Sequence, residues 1–398
     1  MKFKTLHVEN FGPVKDATVE LRAINMFIGE QSIGKSTLAK LITIFTDYIS
    51  LCKIIHRGMD SWNAQLKDYF LDIYKDDPYH ISYEMWEDDK KIHIEIEPAQ
   101  VSFYMMQGDK KTTNADDLMS QLIDLKEIYH VDEVVQASKN METKSFLDLF
   151  TNSLYIPAER IIYPVLTNIL PALALANSTI PKNLLRFMVD LGNAKSEYPQ
   201  FDISLLGVAF KHDAAEDSIV IEEENNKKVI PITAASSGIQ SLVPLMLVLH
   251  YAITKREYSS FVIEEPECNL FPTKQVELLK EILKTVKHQK RILTITTHSP
   301  YLLSAMNNIL FAGMLVEKFG DGIKKYVDEI MPEEYQLKAG DCSVYSLGED
   351  INDGVYCRSL MDELTGMIDF NSLDGVSEEL NFEFEALQRT IAEYKRNK

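Results

Sequence analysis

Residues Gly29-Glu30-Gln31-Ser32-Ile33-Gly34-Lys35-Ser36-Thr37 have the types and spacing of a loop that cradles phosphate. Its glycines let the backbone fold back so that several N–H groups converge on one anion, aided by the positive end of the following helix. In such a loop Lys35 reaches the β- and γ-phosphates of a nucleotide such as ATP. The Ser36 hydroxyl ligates Mg2+, and Thr37 can donate to the α-phosphate. Two adjacent carboxylates, Glu264 and Glu265, end the apolar run Phe261-Val262-Ile263. At the carboxyl edge of a sheet, Glu264 would hold Mg2+ through its water shell and Glu265 would orient or polarise an attacking water. Ser236-Ser237-Gly238-Ile239-Gln240 stands at a helix start, where backbone N–H groups and a serine hydroxyl bind phosphate; in isolation it reads as a plain helix cap. Thr296-Thr297-His298-Ser299-Pro300 ends a second apolar run in a histidine, expected beside the two acids and within reach of a γ-phosphate. A lone histidine at a strand end is otherwise structural. Leu154-Tyr155-Ile156-Pro157-Ala158-Glu159-Arg160 reads as a strand and a polar loop, whose Arg160 could sense phosphate, contact a partner or sit in a structural ion pair.

These groups need elements to position them. Phe3–Glu9 and Ala17–Leu21 alternate as strands about the turn Asn10-Phe11-Gly12-Pro13, and Ile24–Ile28 is a short buried strand. Leu38, Leu41, Ile42 and Phe45 predict a helix over 38–49, which completes the strand–loop–helix context of the phosphate loop. Residues 50–149 carry no nucleotide chemistry and read as an α+β insertion: a hairpin at His80–Tyr83 and Ile92–Ile96, a loop at Gly108–Asn114, and a helical stretch over Leu118–Leu149. From 154 onward the pattern alternates. A strand at 154–156 is followed by proline-broken helices over 161–191 and by strands over 205–232 with a turn at Glu224–Asn225. Then come a helix at 240–255, a strand at 261–263, a helix at 273–286 and a strand at 292–296. Such alternation implies a parallel sheet core. The tail ends in an amphipathic helix marked by Leu380, Phe384, Leu387, Ile391 and Tyr394 and capped by Ser377. It packs on its own domain or meets a partner.

Composition bounds the whole. At roughly 150 residues per domain, 398 residues make two or three units. Apolar residues at 45% and charged residues at 25% suit a globular chain with a sizeable core. Four scattered cysteines form no disulfide or metal pattern and point to a reducing cytoplasm. Met1–Asp16 has no apolar core, so no signal peptide is expected, and prolines or short length disqualify the apolar stretches 161–176 and 242–253 as membrane spans. The net charge of −19 disfavours nucleic acid at long range. Residues 328–398, with 17 acidic and 6 basic side chains, carry most of it, which leaves room for a local basic groove elsewhere.

The order of these motifs resembles that of ABC-type ATPases over residues 1–45 and about 150–315. In detail it is similar to the SMC-like branch, the small prokaryotic ATPases related to the OLD family and to ATPase subunits of anti-phage systems. Asn10-Phe11-Gly12-Pro13, Glu264-Glu265-Pro266-Glu267-Cys268-Asn269-Leu270-Phe271-Pro272 and Thr297-His298-Ser299-Pro300-Tyr301-Leu302-Leu303 carry that closer likeness. It implies an α/β P-loop head with a mixed sheet whose N-terminal part is antiparallel, formed by residues 1–49 and 150–315, with a helical subdomain at about 160–200. The insertion spans 50–149, and 316–398 form a small, mostly helical, acidic C-terminal segment. It also implies two heads sandwiching two ATP molecules, with Ser237, Gly238 and Gln240 of one head acting on the γ-phosphate held by the other. His298 becomes the switch histidine, and Asn269 lies in a loop that crosses the dimer interface. The chain departs from the family pattern in three places. Glu264 stands where Asp is usual. Ser236 and Ile239 replace the Leu and second Gly of the signature. No Gln stands at Pro157–Arg160, where the family's Q-loop enters its helical subdomain, and Gln107 is a weaker substitute.

The resemblance makes the chain an ATP hydrolase whose homodimer, or a larger oligomer, gates a separate effector protein, with prokaryotic defence against phage as the expected context. Rival readings make different demands. An SMC-type DNA-repair ATPase needs a long coiled coil and a basic surface, and a transporter subunit needs a full signature and a Q-loop Gln. A non-hydrolysing sensor would not need Glu265 and His298. A fused nuclease needs a second metal cluster, for which about 100 residues after His298 offer no Asp-x-Asp pair.

Overall fold

A computed structural model describes residues 2–87, 90–115, 153–166, 180–213, 216–223, 226–255, 258, 260–287, 291–348 and 355–369. The chain opens with β1 (Lys2–Phe11), β2 (Val14–Leu21) and β3 (Ile24–Gly29), then α1 (Lys35–Thr46), α2 (Tyr48–Arg57) and α3 (Met59–Asp68). Strands β4 (His80–Glu87), β5 (Lys90–Glu97), β6 (Gln100–Gln107) and β7 (Lys110–Thr112) follow. After β8 (Ser153–Ile156) come α4 (Tyr163–Leu166), α5 (Lys182–Glu197) and strands β9 (Gln200–Ile203), β10 (Val208–Lys211), β11 (Ser218–Glu223) and β12 (Asn226–Pro231). The last part comprises α6 (Ser237–Lys255), β13 (Ser260–Glu264), α7 (Pro272–Lys287), β14 (Ile292–Thr296), α8 (Pro300–Phe319), α9 (Asp321–Ile330), β15 (Cys342–Leu347) and β16 (Cys357–Ser359).

The central sheet runs β16-β15-β3-β14-β13-β8, parallel except for edge strand β16. Its parallel strands are buried on both faces, with a few buried Asn, Ser and Thr among apolar residues, and the pleat sends alternate residues into two cores. Met26 and Ile28 of β3 and Phe261 and Ile263 of β13 join α5 to α8 in one core. Phe27 and Val262, between them, face the other way, into a core built from α1, α2, α3 and a six-stranded antiparallel sheet of order β2-β1-β4-β5-β6-β7. A small antiparallel sheet, β12-β11-β10-β9, completes the molecule. The fold is therefore the expected mixed α/β P-loop head with an antiparallel N-terminal part.

Several local expectations are corrected. The helix expected over 38–49 breaks at Asp47, whose backbone is extended and whose carboxylate accepts from Ser50 N at 2.9 Å to start α2. The loop expected at Gly108–Asn114 holds a strand, β7, because Gly108 at φ +55° turns the chain back onto β6. Strands β4 to β7 continue the sheet begun by β1 and β2, with Glu9 facing His80 and Ile81 facing Ile96. β15, within the C-terminal segment expected to be mostly helical, is a strand of the central sheet beside β3. Helix α6 is long and apolar enough to cross a membrane by length and composition, and 56% of that stretch is buried in the fold. The helices expected over 118–149 and 380–394 lie outside the described residues, as does the turn at 224–225.

Candidate active site

β3 delivers the phosphate loop to the carboxyl edge of the central sheet. Gly29 (φ +138°), Ser32 (φ +65°) and Gly34 (φ +101°) adopt left-handed-side backbone that folds the chain around a point before α1. At Gly29 a side chain is impossible: a Cβ would lie 2.4 Å from the carbonyl oxygen of Leu347 at the end of β15. Lys35 is buried, and its ammonium donates to the carbonyl of Gly29 at 2.8 Å and to that of Glu30. Burial draws its pKa down to about 8, against the opposing pull of Glu265, Glu264 and Glu267. Glu30, Gln31, Ser32 and Ser36 are exposed around it, while Ile33 is half-buried and Thr37 buried. The Tyr356 hydroxyl sits between the carbonyls of Ile33 and Pro13, the latter at 3.0 Å, and so ties the loop to the β1–β2 turn.

The two acids end β13 next to this loop and have opposite environments. Glu264 is 3% exposed. Burial raises its pKa, and the Tyr155 and Ser36 hydroxyls beside it pull the other way. Its Oε1 is buried with no hydrogen-bond partner. A desolvated carboxylate oxygen next to a serine hydroxyl is a donor set suited to a hard divalent cation, whose charge would offset the burial. Ser36 and Glu264 thus fit Mg2+. Glu265 is half-exposed and sits at φ +41°, an uncommon backbone for a residue with a side chain. Its N–H bonds Thr296 O at 3.0 Å, which locks this turn to the end of β14. Its Oε1 lies 3.2 Å from His298 Nε2, and the Cys268 thiol donates to its Oε2 at 3.1 Å. The bond from His298, with help from Cys268 and the charge of Lys35, holds the carboxyl at about 2 despite burial.

Two buried residues hold these groups in place. Glu267 Oε1 accepts from Thr297 Oγ1 at 2.5 Å and from His298 N at 3.0 Å, clamping the histidine loop to the acidic loop. Arg160 is fully buried, and its guanidinium donates to five backbone carbonyls: Glu264 and Glu265 at 2.8 Å each, Pro157 at 3.0 Å, Pro266 at 3.2 Å and Ser241 at 3.3 Å. The sequence leaves three roles open for Arg160, sensing phosphate, contacting a partner or sitting in an ion pair, and these bonds speak against the first. With its donors spent on the backbone, it positions the acidic loop. Neither Arg160's role nor those of Tyr155, Glu267, Cys268 and Tyr356 were read from the sequence. The run from Glu264 to Pro272 was singled out as a motif, but the partners of its members are set by tertiary packing.

The Ser237–Gln240 group lies at the start of α6 with different neighbours. Ser237 is exposed. Gly238 packs so closely on the following loop that a Cβ would lie 2.9 Å from Asn269 O. The Gln240 amide donates to Ala235 O at 2.8 Å and Thr233 O at 3.2 Å, holding the turn before the helix. Asn269, at φ +63°, is exposed next to exposed Phe271. The fold therefore brings Lys35, Ser36, Glu264, Glu265 and His298 together and leaves Ser237 facing outward beside Asn269. Gln107 ends β6, exposed, in the antiparallel sheet.

No curated protein matches the chain significantly. Among solved structures it is similar to the SMC head domain from Thermotoga maritima (14% identity, 77% of this chain and 92% of that one, TM-score 0.35). It is also similar to an Smc head with an extended coiled coil bound to the C-terminal domain of ScpA, from Pyrococcus furiosus (13% identity, 77% and 92%, TM-score 0.38). These are distant likenesses, and the assignment rests on sequence: residues 1–163 and 160–303 match the AAA ATPase domain family. With its phosphate loop, paired acids and histidine gathered at one sheet edge, the chain belongs to the AAA ATPase domain family and is a P-loop ATPase.

Proposed function

We propose that ATP joins two copies of this ATPase head to head, each Ser237–Gly238 loop closing the other copy's phosphate site, and that hydrolysis parts them. The observation that supports this is the split of phosphate-binding groups within one chain. Lys35, Ser36, Glu264, Glu265 and His298 share one edge, while Ser237 stands exposed at a helix start and its neighbours Gly238 and Gln240 are engaged with Asn269, Ala235 and Thr233. A second copy would present that helix start to the γ-phosphate.

In this reading Lys35 exchanges the carbonyls of Gly29 and Glu30 for the β- and γ-phosphate oxygens. Mg2+, held by Ser36 and Glu264, would neutralise phosphate charge. Glu265 orients the attacking water. A carboxyl held at about 2 is a weak proton acceptor near neutral pH, so its work is orientation and electrostatics rather than proton storage. His298 hands Glu265 to the water and turns its ring to the γ-phosphate. Moving heads from 1:99 to 99:1 closed needs a preference of about 5.5 kcal/mol, within reach of several charge-assisted bonds to one phosphate.

The closed dimer would gate a separate effector chain in the cytoplasm. Four cysteines scattered along the chain are in keeping with a reducing compartment. The context we favour is prokaryotic defence against phage, on the likeness of the Asn10–Pro13, Glu264–Pro272 and Thr297–Leu303 stretches alone. A DNA-repair role is the alternative, and the net charge of −19 speaks against it. The test is Glu265→Gln. It should bind ATP with wild-type affinity, lose at least about 100-fold in turnover, and elute as a dimer with ATP. Normal hydrolysis, or a monomer in saturating ATP, would contradict the reading.

A further inference from the structure

The outer face of the antiparallel sheet carries a cluster that the ATPase site does not use. Leu6 and Val8 of β1 and Ile81 of β4 point into the core. His7, Glu9 and His80, on the same strands with opposite parity, therefore share the outward face, and Glu9 pairs directly across from His80. One ligand atom from each of the three lies within 4.8 Å of the others. Both imidazoles are already oriented through one nitrogen. His7 Nδ1 is 2.8 Å from Thr18 Oγ1 on β2, and His80 Nε2 is 2.8 Å from Glu95 Oε1 on β5. When a ring N–H donates to a hydroxyl or carboxylate oxygen, the other nitrogen is left as a lone-pair donor, the arrangement that supports histidine ligands of metals. The Asp16 carboxylate, 3.7 Å from His7 Nδ1, adds negative charge at the rim.

We propose that His7, Glu9 and His80 bind a borderline divalent transition metal, Zn2+ above others, with a water completing the shell. Two imidazoles and one carboxylate suit Zn2+ over Mg2+ or Ca2+, which prefer all-oxygen sites. Around Zn2+ the donor atoms sit roughly 3.3 Å apart, given bonds of about 2.0–2.1 Å, so the three ligand atoms would draw together from their present spread of up to 4.8 Å, with exposed Glu9 the freest to turn. The ion would pin β1 to β4, beside the β1–β2 turn that packs on the phosphate loop through Val14 and Gly34.

The test is calorimetric titration of the metal-stripped full chain with ZnCl2, in excess Mg2+ and without nucleotide. One saturable site per chain is expected. His7→Ala and His80→Ala should each abolish it, and Glu95→Gln should weaken it about 10-fold or more by freeing the His80 ring. His93→Ala, removing another histidine of this sheet whose ring bonds Glu84 at 3.0 Å, should leave it intact. Co2+ read by visible absorption on wild-type protein gives a measure independent of variant folding, with a four- or five-coordinate spectrum expected. No saturable uptake, uptake surviving in a His7→Ala, His80→Ala double variant, equal loss in His93→Ala, or an octahedral Co2+ spectrum would overturn the assignment.

Discussion

Glu265 and His298 hold each other in place at 3.2 Å, and on the proposed mechanism both would be released to act when nucleotide binds. The depressed pKa of Glu265 has a thermodynamic consequence. A carboxylate that titrates at about 2 in the fold, below its value in the unfolded chain, stabilises the native state above that unfolded value. The contribution is lost as pH falls from the ordinary glutamate range towards 2. Denaturant titrations across this interval should show wild-type stability falling more steeply than that of Glu265→Gln, and parallel curves would contradict the pairing. Arg160 offers a second test at this scale. Lysine carries one ammonium in place of a fork, so Arg160→Lys leaves buried carbonyls of the acidic loop unsatisfied, at roughly 1–3 kcal/mol each. The variant should unfold at clearly lower denaturant and turn over slowly while retaining nucleotide affinity. A stable protein with weakened ATP binding would instead favour direct phosphate contact.

At the scale of elements, the phosphate loop is braced by parts of the chain more than 300 residues away. β15 runs beside β3 from Ile24 to Gly29, its Leu347 carbonyl fills the space where a Gly29 side chain would stand, and Tyr356 holds Ile33 and Pro13. Tyr356→Phe keeps the ring but removes the hydroxyl, which should cost about 1 kcal/mol in stability and weaken nucleotide binding several-fold. Unchanged affinity would show that the brace does not shape the loop. This is also where the sequence stops being legible. The loop at 29–37, the acids after Phe261–Ile263 and the histidine at 298 were readable because each is a local run whose chemistry needs those residue types in that order. β15 was not, because Cys342-Ser343-Val344-Tyr345-Ser346-Leu347 mixes serines into a fully buried strand. Ser343 donates to Asn25 Oδ1 at 2.8 Å, across the sheet on β3 but more than 300 residues away in sequence. Arg160 was seen as a charge at a loop, and only packing reveals that its partners are carbonyls. Asp47 was hidden within an apolar spacing that runs through it, although its own chemistry breaks the helix.

For the whole molecule, the fold sorts the phosphate-binding groups into two surfaces. Lys35, Ser36, Glu264, Glu265 and His298 form one. Ser237, backed by Gly238 on Asn269, forms the other, and in the proposed dimer a second copy would bring the two together. On the proposed reading, a chain with this split would need its partner to complete the site, which would make ATP a reagent for assembly as well as a fuel. The most direct measurement is ATP turnover of two inactive variants mixed in equal amounts, Lys35→Ala and Ser237→Arg. Each alone lacks half of every shared site. Together, half the dimers are mixed and each has one complete site, so the mixture should recover about a quarter of wild-type turnover. A mixture no more active than its components, under conditions where the wild type dimerises with ATP, would contradict the shared site.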